Sequence, residues 1–315
     1  METVLYRKYR PKSFGEVLGQ EHIVKILTES VKLGHIAHAY LFAGSRGTGK
    51  TSVARILAEA VGVSKNDIYE MDAASNRGID DVRAIREGVS AAPFESKYKV
   101  YIVDEAHMLT KDAFNALLKT LEEPPAHVIF ILATTEMEKL PETVVSRCQV
   151  FKFKKPSQIA LKEMAVNVAK KEGFALEPAA AELIALLGDG SFRDALGMLQ
   201  KVIGASADKK ITANEVAVAA GAPRAELINE VITALNENKA GKGIEAVRRA
   251  GEENIDMAIL LKLLLAKLRF VLLLRHAPEM KATIAEEVSE KDLAFLQKIA
   301  AGKDSQISAA TILEF

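Results

Sequence analysis

Residues 44–51, Gly-Ser-Arg-Gly-Thr-Gly-Lys-Thr, match the pattern G-x-x-x-x-G-K-[ST] at every fixed position. An apolar run, 40–43, comes directly before this segment, and Val53, Leu57 and Val61 follow it at the four-residue spacing of a helix. A strand, a glycine loop and a helix in this order form a cradle in which backbone N–H groups and the helix dipole meet phosphate. The segment therefore predicts an α/β fold of the P-loop class.

The residue types in this loop predict the chemistry of individual positions. Lys50 is expected to place its ammonium on the β- and γ-phosphates, and the hydroxyl of Thr51 to ligate Mg²⁺. A glycine turn before a helix with a chance Lys-Thr pair is the alternative, and the flanking strand and helix argue against it. The predicted cradle comprises Gly44, Ser45, Arg46, Gly47, Thr48, Gly49, Lys50, Thr51 and Ser52.

A second half of a nucleotide site lies further along the chain. Residues 100–103 predict a buried parallel strand that ends at Asp104 and Glu105. Because ligands of open α/β sheets bind at the carboxyl ends of strands, both acids are expected near the phosphates. Asp104 is expected to hold Mg²⁺, directly or through water, and Glu105 to orient and deprotonate the attacking water. Such an acidic pair alone often caps a helix; with the glycine loop it predicts an ATP or GTP hydrolase.

Composition narrows the class of protein further. With 315 residues, 49% hydrophobic and 27% charged, the chain is expected to form two or three globular domains. The formal net charge is zero, so contact with a polyanion has to use local patches such as residues 7–12. The single cysteine, Cys148, excludes an internal disulfide and a multi-cysteine zinc site. No signal peptide opens the sequence, which makes the cytoplasm the expected location.

One segment, residues 257–274, is long and apolar enough to require a membrane test. Lys262, Lys267 and Arg269 lie inside it, and each would cost about 2.5–3.5 kcal/mol near a bilayer centre. We therefore predict a buried helix whose cations leave the core or meet partners.

The pattern along the chain predicts three domains. Strands are predicted at 39–43, 67–71, 98–103, 128–133 and 149–153, and helices at 21–33, 51–61, 79–90 and 111–122. This alternation predicts a parallel five-stranded sheet covered by helices, spanning 1–155. Strand signals end at Lys155, so we predict a three-helix lid at 156–206, a polar linker at 206–210 and an all-helical domain at 211–315.

Longer motifs follow one another along the chain. They are YRKYRP at 6–11, GQEH at 19–22, HAYLF at 38–42, DAAS at 72–75, DEAHML at 104–109, NALLKTLEEPP at 115–125, LATT at 132–135 and SRC at 146–148. In this order they resemble the AAA+ ATPases and, among them, the gamma/tau family of bacterial DNA polymerase III clamp-loader subunits. The resemblance is dense over residues 1–200 and only compositional beyond about 210.

The resemblance implies roles for several further residues. Arg147, in the Ser-Arg-Cys motif, is similar to the arginine that completes a neighbouring subunit's ATP site. Thr135 resembles the polar residue that senses the γ-phosphate, with Thr134 as the alternative, and Arg193 resembles the lid arginine that touches that phosphate. The segments that wall the adenine correspond to Arg10, Pro11, Val17 and Leu18, although core packing explains the two apolar residues equally well.

The family resemblance also implies a function. It implies an ATPase that opens a ring-shaped sliding clamp and loads it on primer–template DNA, with delta- and delta-prime-type subunits, the clamp, the DNA and the replicative polymerase as partners. Local cations are expected to hold the DNA, with Arg77 and Lys139 as candidates and solvated surface charge as the alternative. Rival hypotheses are another AAA+ DNA motor, for branch migration or replication restart, and a catalytically silent clamp-loader scaffold.

One interval departs from the family pattern. The family usually carries a four-cysteine zinc knuckle before the Asp-Ala-Ala-Ser segment, whereas residues 62–67 here contain no cysteine. Zinc is therefore not expected, and ATP with Mg²⁺ is. The spacing of His22, His35, His38, His107 and His127 does not suggest a metal site, and we expect structural roles for them.

Overall fold

The computed structural model describes residues 4–76, 78–206, 208–288 and 290–302. Its α-carbon contacts divide the chain into two compact units. The first contains residues 1–160 and 190–193, and the second contains residues 161–189 and 194–315.

The first unit is built on a parallel sheet of five strands in the order β2-β3-β4-β1-β5. The strands are β1 (Ala39–Ala43), β2 (Ile68–Asp72), β3 (Lys99–Asp104), β4 (Val128–Thr134) and β5 (Gln149–Lys152). The helices are α1 (Leu5–Lys8), α2 (Glu21–Leu33), α3 (Lys50–Ala60), α4 (Ile79–Val89), α5 (Lys111–Glu122) and α6 (Glu142–Val145). The predicted five-stranded α/β architecture is confirmed.

Both faces of this sheet are covered, because alternate residues of the central strands enter two separate cores. Leu41, Val103 and Leu132 belong to the core that also contains residues of α4 and α5. Their neighbours Phe42 and Ile131 belong to the core that contains residues of α2 and α3. This packing holds the carboxyl ends of β1, β3 and β4 side by side, where the loops after them meet.

The following segments are helical. They are α7 (Gln158–Lys171), α8 (Pro178–Gly188), α9 (Phe192–Ala205), α10 (Ala213–Ala220), α11 (Ala225–Asn236), α12 (Ala240–Glu252), α13 (Met257–His276), α14 (Lys281–Glu287) and α15 (Glu290–Ala301). Two apolar clusters hold α11, α12, α13 and α15 together.

The expectation that strands end at Lys155 is wrong in one detail. Two short parallel strands, β6 (Ala175–Leu176) and β7 (Lys210–Ile211), pair in the second unit. The predicted linker at 206–210 therefore ends inside a ladder, where the Ala175 N–H donates to the Lys209 carbonyl at 2.7 Å. A strand of two residues is too short to show the alternation of apolar and polar residues by which a strand is predicted.

Helix α13 is less buried than the sequence predicts. Its buried residues are Leu260, Leu268 and Val271, because only one stripe of a uniformly apolar helix faces the core. Its cations leave the core or find partners as expected: Lys267 Nζ lies 2.6 Å from Asp292 Oδ1, Lys262 Nζ lies 3.3 Å from an Asp189 oxygen, and Arg269 is exposed. Among the described residues, no helix is long and apolar enough to cross a membrane.

Candidate nucleotide site

The glycine loop connects β1 to α3 and adopts a backbone that only glycine accommodates well. Gly44, Gly47 and Gly49 have φ angles of 155°, 75° and 100°. A Cβ on Gly47 would lie 2.0 Å from the Ser191 hydroxyl, and a Cβ on Gly44 would lie 2.6 Å from the Phe153 carbonyl oxygen. The Phe192 N–H donates to the Gly47 carbonyl at 3.0 Å. The start of α9 thus packs directly on the loop.

Lys50 is buried in the hollow of this loop. Its ammonium donates to the carbonyls of Gly44 at 2.8 Å and Ser45 at 3.0 Å. Burial lowers the pKa of Lys50 while Glu105 and Asp104 raise it, and the net effect is a lowered pKa. The Ser45 hydroxyl is buried without a hydrogen-bond partner among the described residues. A buried cation and an orphaned hydroxyl in one loop fit a bound phosphate.

Asp104 and Thr51 lie together at the carboxyl ends of the strands. The Thr51 hydroxyl donates to Asp104 Oδ2 at 2.7 Å, and the other carboxylate oxygen of Asp104 accepts the Glu105 N–H at 3.0 Å. A hydroxyl and a carboxylate are oxygen ligands of the kind that Mg²⁺ takes in phosphoryl-transfer sites. The structure therefore brings together the two residues that the sequence nominates for the metal.

Glu105 sits in a strained backbone conformation with φ 49° and ψ 45°. For a non-glycine residue this left-handed conformation costs energy and often marks a functional position. One of its carboxylate oxygens, Oε2, accepts a hydrogen bond from the Thr135 hydroxyl at 3.0 Å. Thr134, the alternative sensor, is fully buried, and its hydroxyl lies 3.0 Å from His107 Nδ1. Of the two threonines, Thr135 is the one in contact with the candidate base.

His107 joins this cluster, although the sequence suggested only a structural role. Its buried ring places Nδ1 3.6 Å from Glu105 Oε2 and Nε2 3.2 Å from Glu136 Oε1. Glu136 in turn pairs with Lys139 at 2.7 Å. The signal that could have found His107 is its place two residues after Glu105, on the same turn.

Cations gather around the loop. Arg10 is half-buried, and burial lowers the pKa of its guanidinium. Arg55 and Arg193 lower this pKa further, and Glu70 and Asp104 oppose the shift only in part. The Arg193 guanidinium lies over the Tyr6 ring, 5.8 Å from its centroid. Clustered cations repel one another, and an anionic ligand relieves that repulsion.

The remaining nucleotide candidates differ in exposure. Thr48 is buried, and its hydroxyl donates to the Ser45 carbonyl at 2.9 Å, whereas Arg46 is exposed. Val17 packs against the core cluster that covers α3, and Leu18 is 41% exposed. Pro11 and Ser52 are half-buried.

Arg147 lies at the other edge of the sheet. It stands two residues before β5, and Gln149 at the start of β5 pairs with Tyr40 near the start of β1. The glycine loop of the same chain follows the opposite, carboxyl end of β1. The guanidinium contacts Glu122 Oε1 at 2.6 Å and the Thr143 carbonyl at 2.6 Å. The structure therefore does not bring Arg147 to its own phosphate site.

Of the two residues proposed to contact DNA, the structure describes only Lys139. Arg77 lies outside the described residues. Lys139 is 58% exposed and pairs with Glu136, as described above.

In the interval where the family carries a zinc knuckle, the buried carboxylate of Asp67 holds the loop at residues 94–96. Asp67 accepts backbone N–H bonds from Phe94 at 2.5 Å, Glu95 at 3.0 Å and Ser96 at 2.8 Å. Burial by itself raises the pKa of Asp67, but these hydrogen bonds and one from the Ser96 side chain lower it to about 2. Within the described part of the chain, no group of three or more His, Cys, Asp or Glu residues is placed to hold a metal ion.

The glycine loop, the acidic end of β3 and the five-stranded sheet followed by helices define an AAA+ P-loop ATPase fold. The RuvB Holliday junction branch migration motor of Thermotoga maritima superposes with a TM-score of 0.58 at 24% identity, covering 72% of this chain and 79% of that one. A single-substitution variant of the same motor gives a TM-score of 0.59 at 23% identity, with the same coverage of 72% and 79%. At this level of identity the likeness concerns the fold alone.

Sequence relatives define the family more closely. The chain is 40% identical over 301 residues to DNA polymerase III subunit tau of Bacillus subtilis and 37% identical over 296 residues to that of Escherichia coli. It is 35% identical over 334 residues to the gamma/tau subunit of Mycobacterium bovis, across 99% of this chain. A family model described as DNA polymerase III, delta subunit, matches residues 19–77 and 63–157. The chain is a homologue of the bacterial DNA polymerase III tau and gamma/tau subunits.

The matched part is a fraction of each relative. The alignments cover 53% of the Bacillus subtilis protein, 46% of the Escherichia coli protein and 57% of the Mycobacterium bovis protein. The chain thus spans about half the length of the curated relatives it matches.

Proposed function

We propose that this chain is the ATPase motor subunit of a DNA polymerase III clamp loader, which uses ATP binding and hydrolysis to load a sliding clamp on primer–template DNA. The observation that carries the proposal is the meeting of Lys50, the Thr51–Asp104 pair and the Glu105–Thr135 pair at one sheet edge. Homology to the tau and gamma/tau subunits supports its place in that polymerase.

Nucleotide binding is proposed to use the loop as it stands. Backbone N–H groups of residues 44–51 and the start of α3 attract the phosphates, and Lys50 exchanges its loop carbonyls for phosphate oxygens. Arg193 reaches the γ-phosphate from the start of α9, and the segment from Arg10 to Leu18 walls the adenine. Thr51 and Asp104 would hold Mg²⁺, which neutralises charge on the phosphates when bound.

Hydrolysis is proposed to use Glu105 as the general base. Its carboxylate takes the proton from the attacking water, and Thr135 holds that carboxylate in place through its 3.0 Å hydrogen bond. Arg147 completes the site of a neighbouring subunit, because it lies at the sheet edge opposite its own loop. An arginine supplied in this way is worth about 10³–10⁵ in rate.

The assembly is proposed to work through the difference between the ATP and ADP states. The ATP phosphate is shared across a subunit interface. The helical domain, 211–315, which follows the sheet domain at 1–155 and the lid at 156–206, forms an oligomeric collar. Delta- and delta-prime-type subunits complete the ring, which opens the clamp in the cytoplasm and grips DNA through local cations such as Lys139. Release of the DNA and clamp to the replicative polymerase follows hydrolysis.

ATPase activity of the chain with its partner subunits, with and without sliding clamp and primed DNA, tests this function. We expect turnover that clamp and DNA together stimulate. The matched control is Lys50→Ala, which removes the loop's cation and should abolish tight binding of a fluorescent ATP analogue. Wild-type turnover that neither clamp nor DNA changes contradicts the clamp-loader assignment, and unchanged nucleotide affinity in Lys50→Ala contradicts the assigned site.

A further inference from the structure

The Arg147 side chain is held between α5 and α6. One terminal nitrogen donates to the carbonyl of Thr143, the second residue of α6, at 2.6 Å and lies 3.4 Å from the Ser146 hydroxyl. The other terminal nitrogen donates to Glu122 Oε1, at the last residue of α5, also at 2.6 Å. The guanidinium is therefore fixed in direction by two separate elements, and not only by its own backbone.

The stability of α5 does not account for Glu122. The end of a helix carries partial negative charge, so a carboxylate in its last turn is mildly unfavourable. The pair with Arg147 adds little stability either. The two side chains are 34% and 47% exposed, and water and salt screen an exposed ion pair of this kind. The hydrogen bond described for this carboxylate is the one from Arg147, and its main effect is to restrain that side chain.

The contacts leave Arg147 able to bind a second anion. A guanidinium carries five N–H bonds in a rigid plane, and the described contacts use three of them. A side chain held by Glu122 and Thr143 keeps one orientation, which lowers the entropy lost when the remaining donors meet a phosphate. An arginine side chain that rotated freely would lose this conformational entropy each time it bound the phosphate.

We infer that Glu122 is a positioning residue for Arg147, which orients the guanidinium toward the triphosphate of a neighbouring subunit. This inference rests on the proposed function, because it presupposes that Arg147 acts in trans. It assigns a role to the first glutamate of the Leu-Glu-Glu-Pro-Pro segment that the nucleotide site itself does not use. Glu123, the next residue, is exposed, and no described contact joins it to Arg147.

Chemical modification of the purified full chain tests the restraint without any partner. Phenylglyoxal labels arginine, and peptide mass spectrometry follows the rate at Arg147. We expect Glu122→Ala to speed labelling about threefold or more, because it frees one side of the guanidinium, and Glu122→Gln to lie between it and wild type, because the amide oxygen still accepts a hydrogen bond. Glu123→Gln is the matched control and should label at the wild-type rate. Equal rates in all four proteins overturn the restraint.

A double-mutant cycle on ATP hydrolysis in the assembled complex tests the role. Glu122→Ala should lower kcat about tenfold, as a misplaced catalytic group does, while the dissociation constant for ATP stays at the wild-type value. In an Arg147→Ala background the same change should have no further effect, because there is nothing left to orient. Glu122→Gln should recover part of the rate, and circular dichroism should show every variant folded.

The outcomes separate the inference from the function beneath it. If Arg147→Ala hydrolyses ATP at the wild-type rate, the trans role of Arg147 fails and the inference fails with it. If Arg147→Ala is slow but Glu122→Ala is not, only the positioning role fails. A Glu122→Ala variant that is faster than wild type, or that slows the Arg147→Ala protein equally, also overturns it.

Discussion

The two compact units differ in what they bury. Every polar or charged residue that is buried among the described residues lies in the first unit: Gln20, Thr48, Lys50, Asp67, Lys99, Thr120, Thr134 and Ser191. The second unit, over its described residues, fills its cores with alanine, leucine, isoleucine and valine, and its polar pairs stay partly exposed. Both units are folded by apolar burial, but over the residues that the structure describes only the first buries polar or charged residues completely.

Several buried polar groups of the first unit hydrogen-bond to backbone in loops or at the ends of helices. Gln20 donates to the Lys154 carbonyl at 2.7 Å and accepts the Lys154 N–H at 3.1 Å, which fixes the chain after β5. Lys99 donates to the carbonyls of Gly88 and Ala91 at 3.0 Å each, near and beyond the end of α4. Because a loop has no repeating backbone ladder, specific side chains have to satisfy it. A unit that carries chemistry on loops therefore needs such groups, and a helical unit does not.

The largest effect is expected at Arg147, in the first unit, which carries its chemistry on loops. Arg147→Ala should leave ATP binding on its own subunit intact and raise the barrier to hydrolysis in the assembled complex by about 4–7 kcal/mol. Mixing Arg147→Ala with Lys50→Ala subunits should restore some ATPase activity, since the first keeps a nucleotide site and the second keeps the arginine. Mixed assemblies that form but exceed neither parent would contradict a role in trans.

The next effect is at Glu105. Glu105→Gln keeps the shape of the side chain but removes the base, so it should bind ATP normally and hydrolyse it about 10²–10⁴ times more slowly. Thr135→Val, which removes the hydroxyl that holds Glu105, is expected to lose less. Steady-state turnover and equilibrium binding of a fluorescent analogue measure both variants. If Glu105→Gln stays within about threefold of wild type, Glu105 is not the base.

A smaller effect is expected at Asp67, where the buried polar group is structural. Asp67→Asn places an amide against three backbone donors and should destabilise the loop at 92–97 by about 2–3 kcal/mol, seen as faster hydrogen exchange there. The folded pKa of Asp67 is about 2, below its unfolded value. Its contribution is therefore complete above about pH 4 and is lost as the pH falls through about 2. Wild type and variant should converge over that window, and a constant difference would contradict the assignment.

The smallest effect is expected in the second unit, at Lys267 on α13. Its ammonium donates to Asn229 at 2.9 Å and Asp292 at 2.6 Å, and its side chain is 13% exposed. Lys267→Met should cost about 1–2 kcal/mol in hydrogen-exchange protection of α13, because the gain in apolar packing offsets part of the lost pair. The control is Lys262→Met. The Lys262 side chain is 30% exposed, so its replacement should reduce hydrogen-exchange protection less. A loss at Lys267 larger than at Asp67 would break the comparison between the units.

Prediction from the sequence succeeded where a pattern is local. Helices 21–33 and 111–122 agree with α2 and α5 in both bounds, and every strand of the main sheet was expected within one residue at each end. Apolar period and stop signals such as Pro124 act over a few residues, so they can be read from the chain. The two-residue strands β6 and β7 escaped because they exist only through pairing with each other.

The functional residues divide in the same way. Glycine spacing and an acidic pair after a strand nominated Lys50, Thr51, Asp104 and Glu105 as a group, and the structure places them together. The roles assigned to them remain predictions. His107 and Glu122 were not nominated, because their partners, Glu136 and Arg147, are 29 and 25 residues away along the chain. Unlike the glycine loop and the acidic strand end, neither pair belongs to a motif pattern that assigns two distant residues to one site.

The sequence by itself determined the P-loop class, the parallel sheet, the kinship with the gamma/tau subunits and the residues available for chemistry. Tertiary structure alone decided which of those residues meet: Thr135 rather than Thr134 on Glu105, Asp67 on the loop at 92–97, and Glu122 on Arg147. The physical reason is the separation along the chain over which each effect acts. Propensity and periodicity are properties of neighbouring residues, whereas a hydrogen bond between loops depends on the register of strands and the packing of helices that bring the loops together.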